Sequence, residues 1–420
     1  MRKKIVAGML LLAVAIGLSA CRGFFTQAPI AVLTWTPEGA YEAPITITFD
    51  LSGSHDPDGE ITSWTLNFGD GSAAATGTDV NTQIAHRYQE EDTYTATLEV
   101  TDNSGSTDQV SVKITVLAPR VYFVSTRYSS SELFRVKLDG TEEELLNILV
   151  GAAKFSPALL WETRDKLAFS AESPSGVDLD IAVADLGDYS IQSLYIQTSS
   201  EVQPTWYHDG TKIAFASDKS GNWEIWQVDY PWGIASPVNQ LTTQTPYWAL
   251  APSYSPVNGD LVFVSNEGDG GAADGGSALW IWREGAASPE VLYDSDGHDG
   301  AIDPFGGMPG AADGGWSTPA WSPDGTKIAF TSDRSGGQGG LDIWILDVDS
   351  GTVQNLNDFS GGSPNTSADE FNPWWVETGD AIAFVRDVGG QYQIMVVDLT
   401  TGAVRQLSSA ADSMMPASLP

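Results

Sequence analysis

The chain has 420 residues and carries 55 Asp and Glu against 20 Lys and Arg, a formal net charge of −35. A field of that sign repels nucleic acid and anionic lipid, which argues against both as partners. It suits basic partners, divalent cations or solubility at high salt. Cys21 is the only cysteine, so no disulfide can staple any part of the chain to another.

Residues 1–20 read as a secretory signal. Arg2, Lys3 and Lys4 form a basic start, and Ile5 to Leu18 an apolar run too short to span a bilayer comfortably. The run ends in Leu18-Ser19-Ala20-Cys21, which resembles the bacterial lipobox. The resemblance implies cleavage before Cys21 and lipidation of its thiol. Several acyl chains hold a protein on a membrane far more firmly than one, so the expected location is the cell envelope. Arg22 stands where an Asp would signal retention at an inner membrane, so an outer membrane is favoured in a two-membrane host. Residues 21–28 are then a short linker, roughly 25 Å at full stretch.

Residues 29–118 alternate apolar and polar side chains with turn clusters every dozen residues. Ile45-Thr46-Ile47-Thr48-Phe49, Ile61-Thr62-Ser63-Trp64-Thr65-Leu66 and Tyr94-Thr95-Ala96-Thr97-Leu98-Glu99-Val100 are the clearest strands. The pattern predicts an immunoglobulin-like β-sandwich. Its wording, from His55-Asp56-Pro57-Asp58-Gly59 through Asn67-Phe68-Gly69-Asp70-Gly71 to His86-Arg87-Tyr88, resembles the polycystic-kidney-disease (PKD) domain. Leu66, Asn67 and Asp92 depart from that family's usual Trp, Asp and Gly. His86, Tyr88 and Tyr94 read as packing and turn-fixing residues. Such a unit implies a spacer or interaction module.

From residue 119 to 420 one phrase returns. Pro204-Thr205-Trp206-Tyr207-His208-Asp209-Gly210-Thr211-Lys212-Ile213-Ala214-Phe215 is answered by Pro319-Ala320-Trp321-Ser322-Pro323-Asp324-Gly325-Thr326-Lys327-Ile328-Ala329-Phe330. The strand-centred phenylalanines are Phe123, Phe169, Phe215, Phe263, Phe330 and Phe384. A second apolar run follows each of them, then a polar turn and a short strand. Four strands per unit at a period near 50 predicts a β-propeller blade, and six copies predict six blades. The first copy lacks its opening Pro-aromatic strand, which Met414-Met415-Pro416-Ala417-Ser418 resembles. A C-terminal strand completing the first blade would hide both edges of the ring. The phrase at Pro319–Arg334 is similar to the repeat of TolB-type (PD40, WD40-like) propellers. The resemblance implies the fold and an envelope or periplasmic compartment. TolB itself carries an α/β domain that this chain lacks, so membership of the Tol system is not implied.

Enzymatic signatures are scarce: no Gly-x-Ser-x-Gly, no His-Glu-x-x-His and no phosphate-cradling Gly-x-x-x-x-Gly-Lys occurs. A non-catalytic protein is therefore expected, with no cofactor except a possible calcium ion. The calcium candidate is Asp294-Ser295-Asp296-Gly297-His298-Asp299-Gly300, where Asp294, Asp296 and Asp299 could wrap a hard cation. Phe305 stands where a helix-loop-helix calcium loop has its bidentate Glu, so a solvated loop is the alternative. His55-Asp56-Pro57-Asp58-Gly59 is a weaker candidate, since it reads as ordinary turn chemistry.

Trp161, Trp206, Trp321 and Trp375 fall on first strands, and Trp226, Trp280 and Trp344 on third strands. Their recurrence predicts packing between blades. Trp232, Trp248, Trp316 and Phe305 lie outside that register and are candidates for ligand contact. In an up-and-down blade the long insertions at 267–277 and 294–316 open on one face, and loops that grow on one face of a rigid ring are where binding resides. The candidate binding face is thus Asp294, Asp296, Asp299, Phe305 and Trp316. The expected role is a lipid-anchored scaffold that binds envelope proteins. Polysaccharide binding or cleavage is the alternative, and a calcium-dependent adhesin a third reading.

Overall fold

The computed structural model describes residues 27–36, 40–127, 131–149, 153–160, 164–173, 178–195, 198–231, 237–243, 247–266, 277–294, 317–334, 336–338, 340–376, 378–408 and 413–416. They fall into two compact units that divide after Leu117. Apart from one short helix, Leu356–Ser360, every regular element among the described residues is a strand.

The first unit is a sandwich of two sheets. One holds Thr34–Thr36, Ile45–Asp50 and Gln83–Tyr88, in that order. The other holds, in spatial order, Ala40–Glu42, Thr107–Leu117, Asp92–Asp102, Ile61–Asn67 and Ala75–Gly77. Period-2 alternation sends Ile45, Ile47 and Phe49 inward from one sheet, and Trp64, Leu66, Leu98 and Val100 from the other. Each large side chain taken out of water contributes roughly 1.5–3 kcal/mol. Tyr88 is fully buried and donates its hydroxyl to the Phe68 carbonyl at 2.8 Å. Tyr94 stacks on it and donates to the Glu90 carbonyl at 2.9 Å, while His86 stacks on Phe68. The three residues expected to pack and to fix turns are placed accordingly.

The second unit contains six four-stranded antiparallel sheets among the described residues. Blade 1 is built from Ser413–Pro416, Arg120–Ser125, Glu132–Lys137 and Glu144–Leu145. Blades 2 to 6 open on the inner strands Lys154–Leu159, Glu201–Trp206, Ala249–Tyr254, Ala320–Trp321 and Glu370–Trp375, and each continues outward in chain order. The protein is thus an all-β chain with a six-bladed propeller. Its C-terminal strand pairs antiparallel with Arg120–Ser125, setting Met414 against Val124 and Pro416 against Phe123. That pairing closes the first blade as the repeat arithmetic requires, and the inner edge of Arg120–Ser125 is not left to recruit a foreign strand.

The repeated phrase now has physical content. In the turn after the inner strand, Gly210 and Gly325 take positive φ (72° and 69°), which a Cβ would oppose. Each donates its N–H across the turn, to the carbonyls of Tyr207 and Ser322 at 2.8 Å. The preceding Asp accepts from the following Thr N–H, at 2.9 Å for Asp209 and 3.0 Å for Asp324. In the Ser-x-(Arg/Lys) tail, the hydroxyls of Ser125, Ser217 and Ser332 hold Arg127, Lys219 and Arg334. Those cations lie over Phe134, Trp226 and Trp344 at 4.3, 5.5 and 4.7 Å. The same aromatics face the strand-centred Phe123, Phe215 and Phe330 across the ladder.

The inner-strand tryptophans tie blade to blade. Trp206 Nε1 donates to the Ala158 carbonyl of blade 2 at 3.1 Å, and Trp321 Nε1 to the Ser253 carbonyl of blade 4 at 3.0 Å. In blade 2 the position two residues beyond the proline is Leu159, not Trp161. Trp161 lies beyond the strand and outside the described residues, so the expected register fails there.

The residue before the inner-strand proline is a bulge. Ser156, Gln203, Ala251 and Asn372 all have φ between +46° and +56°, and the ladder slips by one at each. Such backbone persists only where its surroundings fix it. At Ala251 and Asn372 the neighbouring blade does so. Gln203 Oε1 accepts the Ala251 N–H at 2.9 Å, and the hydroxyls of Ser317 and Thr331 accept the Asn372 N–H at 3.1 Å.

Candidate functional site

Loops between blades, and between second and third strands, open on one face of the propeller. Turns between first and second, and between third and fourth strands, open on the other. The turns of the second face are short, as at 207–211 and 322–326 between strands. The long insertions, outside the described residues, join strand ends on the first. Of the residues expected to form the binding face, Asp294 ends the fourth strand of blade 4, opposite Ala278. Asp296, Asp299, Phe305 and Trp316 lie outside the described residues, as does Trp232. Trp248, the remaining out-of-register tryptophan, immediately precedes the inner strand of blade 4. It is half-buried against the propeller core, and its N–H donates to Asn266 Oδ1 at 2.8 Å.

No three His, Cys, Asp or Glu side chains among the described residues stand close enough to share a metal ion. In the sandwich's weaker calcium candidate, Asp56 accepts the Asp58 N–H at 3.2 Å, and Asp58 accepts the Gln27 N–H. Asp56 is thus drawn into a turn hydrogen bond, and Asp58 into a bond with the backbone at the start of the unit.

What the structure does assemble under the loop-bearing face is a layer of buried charge. It runs through the position where each inner strand begins, its partner ends and the third strand starts. Blade 2 contributes Lys154, Ala171 and Asp180; blade 3, Glu201, Ser217 and Glu224; blade 6, Glu370, Arg386 and Gln393. Asp180, Glu201, Glu224 and Glu370 have no exposed surface, and Asp342 occupies the matching place in blade 5. Of these acids Glu370 is answered by a cation, Arg386 at 2.7 Å, whereas Lys154 bonds Glu132 of blade 1 at 2.8 Å. Burial raises the Glu370 carboxyl even so, against the hydrogen bonds of Thr366 and Arg386. Sequence reading passed over this layer, although the repeat register offers a signal: Glu201 and Glu370 each stand three residues before an inner-strand proline.

The opposite face carries a clamp between blades 3 and 4. Tyr207 donates to Glu284 at 2.6 Å, and Gly259 sits so close that a Cβ there would strike both side chains. The bond to the Glu284 carboxylate, with burial, pushes the Tyr207 phenol up to about 12. His208, in the slot filled by Pro323 in blade 5, lies against the Tyr207 ring at 4.4 Å.

Comparison with known proteins matches these two units separately. Residues 26–116 match the PKD domain. Over 80 residues the chain is 40% identical to a microbial collagenase of Vibrio alginolyticus, a span of 19% of this chain and 9% of the collagenase. The chain thus spans less than a tenth of that protein. TolB from Acinetobacter baumannii superposes with a TM-score of 0.53 at 17% identity, over 79% of this chain and 80% of TolB. Hydrazine synthase of Kuenenia stuttgartiensis gives 0.52 at 15% identity, over 71% of this chain and 46% of that one. A chain of the nidogen/laminin complex gives 0.51 at 10% identity, over 71% and 97%. Identities this low establish the propeller fold that these proteins share. An enzyme and a binding complex both use it, so the fold alone selects no function.

Proposed function

We propose that this chain is a lipid-anchored cell-envelope protein whose propeller is a non-catalytic scaffold for envelope proteins. Cys21 carries the lipid and the PKD unit serves as spacer. The observation that carries the reading is the asymmetry of the ring. Inter-blade hydrogen bonds tie blade 3 to blade 2 and blade 5 to blade 4, a closing strand completes blade 1, the turns at 207–211 and 322–326 on one face are short, and the two long insertions join strand ends on the other. A rigid frame with variable loops on one side suits recognition. The acidic surface favours a partner with a basic face.

Deletion of 295–312 tests the reading. Crosslinking of the anchored protein in its own cells should capture a partner that the deletion variant loses, while thermal unfolding shifts little. Capture that survives the deletion rejects the assignment of the face, and release of oligosaccharide products in place of protein capture rejects the scaffold. Cys21→Ser should move the protein from the membrane to the soluble fraction; membrane retention of that variant overturns the anchor.

A further inference from the structure

Within the buried layer, Glu201 is one acid whose neutralisation is incomplete. Its Oε1 accepts from the hydroxyls of Ser199 at 2.6 Å and Ser217 at 3.0 Å. Its Oε2 is buried and has no hydrogen-bond partner. Blade 6 provides a natural comparison. Glu370 holds the same position, and the residue across the ladder from it is Arg386; across from Glu201 that place is taken by Ser217. Blade 3 therefore repeats the buried carboxylate of blade 6 without its cation.

The charged groups around Glu201 come from both sides of a seam. Blade 2 presents Asp180 at the start of its third strand, Glu172 at the end of its second, and Lys154 at the start of its first. The Lys154 ammonium is engaged by Glu132 of blade 1. Blade 3 itself presents Glu224, bonded to the Thr242 hydroxyl, and Asp218 in the adjoining loop. Ala249 begins the inner strand of blade 4 and brings no charge. An ionised carboxylate with an unpaired oxygen, sealed from water beside acids, is a costly arrangement. A protonated one is far less so, since burial penalises the charged form much more than the neutral one.

We propose that Glu201 is a pH-responsive latch in the seam between blades 2 and 3, closing it when protonated and loosening it on the loop-bearing side when its proton is lost to solvent. Burial, reinforced by the fields of Asp180 and Asp218 and opposed by the Ser199 and Ser217 hydroxyls, raises the carboxyl to about 8. The unfolded chain releases that proton near the ordinary glutamate value. Between those two values the folded state holds a proton that the unfolded state has lost, so closure weakens as pH rises and is weakest above about 8. The latch concerns the propeller's own integrity and stands whether or not the loops above it capture a protein.

Hydrogen exchange of the full chain at pH 6 and pH 9, corrected for intrinsic rates, tests this directly. Peptides spanning 179–185 and 201–206 should lose protection by at least tenfold at the higher pH, against a linkage limit of about tenfold per pH unit. Glu201→Gln should hold the same protection at both values. A pH-independent seam in the wild type overturns the proposal, as does a variant that keeps the wild-type pH response. If the variant fails to fold, the wild type still decides. The seam between blades 5 and 6, followed through 342–347 and 370–375, contains the Arg386-compensated Glu370; an equal loss there and at Glu201 refutes the latch.

Discussion

Three tryptophans at one position allow an inter-blade hydrogen bond to be weighed within a single molecule. Trp206, Trp321 and Trp375 each stand two residues beyond an inner-strand proline and are at most 3% exposed. The first two donate Nε1–H to a carbonyl of the preceding blade, at 3.1 and 3.0 Å. Trp375 packs edge-on against Phe359, and its Nε1 is buried without a partner. Phenylalanine substitution removes the same part of the ring at all three sites, so the packing loss largely cancels between them. What differs is the carbonyl left behind. At 206 and 321 a buried acceptor loses its donor, a loss of about 1–3 kcal/mol. At 375 an unsatisfied donor disappears, which recovers part of the packing cost. Urea unfolding followed by far-UV circular dichroism should therefore rank Trp206→Phe and Trp321→Phe as more destabilising than Trp375→Phe by about 1–3 kcal/mol. Three variants equal to within about 0.5 kcal/mol would falsify the claim that these bonds stitch the ring.

Other perturbations address the remaining elements. Burial would raise the Asp70 carboxyl, but hydrogen bonds from Ser72 and His86 outweigh it and hold the group at about 2. Its folded value lies below the unfolded one, so its stabilisation is complete above the ordinary aspartate value and fades as pH falls through 2. Asp70→Asn should cost the sandwich roughly 2 kcal/mol at pH 6 and almost nothing at pH 2, read from exchange protection of 83–102; an equal cost at both pH values contradicts the pairing. Ser408→Ala should cost about 1–3 kcal/mol, because Ser408 Oγ accepts the buried Ile394 N–H at 3.1 Å; unchanged unfolding would show that the cap is dispensable. Truncation after residue 412 removes the closing strand from Arg120–Ser125. Lower thermal stability and concentration-dependent association should follow, measured by light scattering, and a monomer of wild-type stability would refute closure by the tail.

How far the chain was legible follows from the range of the forces involved. Strands, turns and the period near 50 are local: alternation, Asp-Gly chemistry and the position of each proline fix them within a dozen residues. The closing strand was legible too, because a missing first strand and a matching tail are a matter of counting. The candidate face was placed from blade topology, but Asp296, Asp299, Phe305 and Trp316 lie outside the described residues, leaving only Asp294 at a strand end.

Amino-acid order by itself thus determined the all-β architecture, the two units and the ring of six, since each rests on near-neighbour patterning repeated along the chain. Only tertiary structure decided how the blades hold one another. The left-handed residues before the prolines are not written in their side chains, which are Ser, Gln, Ala and Asn; at Ala251 and Asn372 a neighbouring blade some 50 residues away satisfies the N–H group. Nor does Glu201 differ in type from the surface glutamates. Its character comes from complete burial beside Asp180 and from a serine standing where blade 6 has an arginine. Charge is carried by the residue, but its energy is set by the medium and by neighbours that only folding brings together.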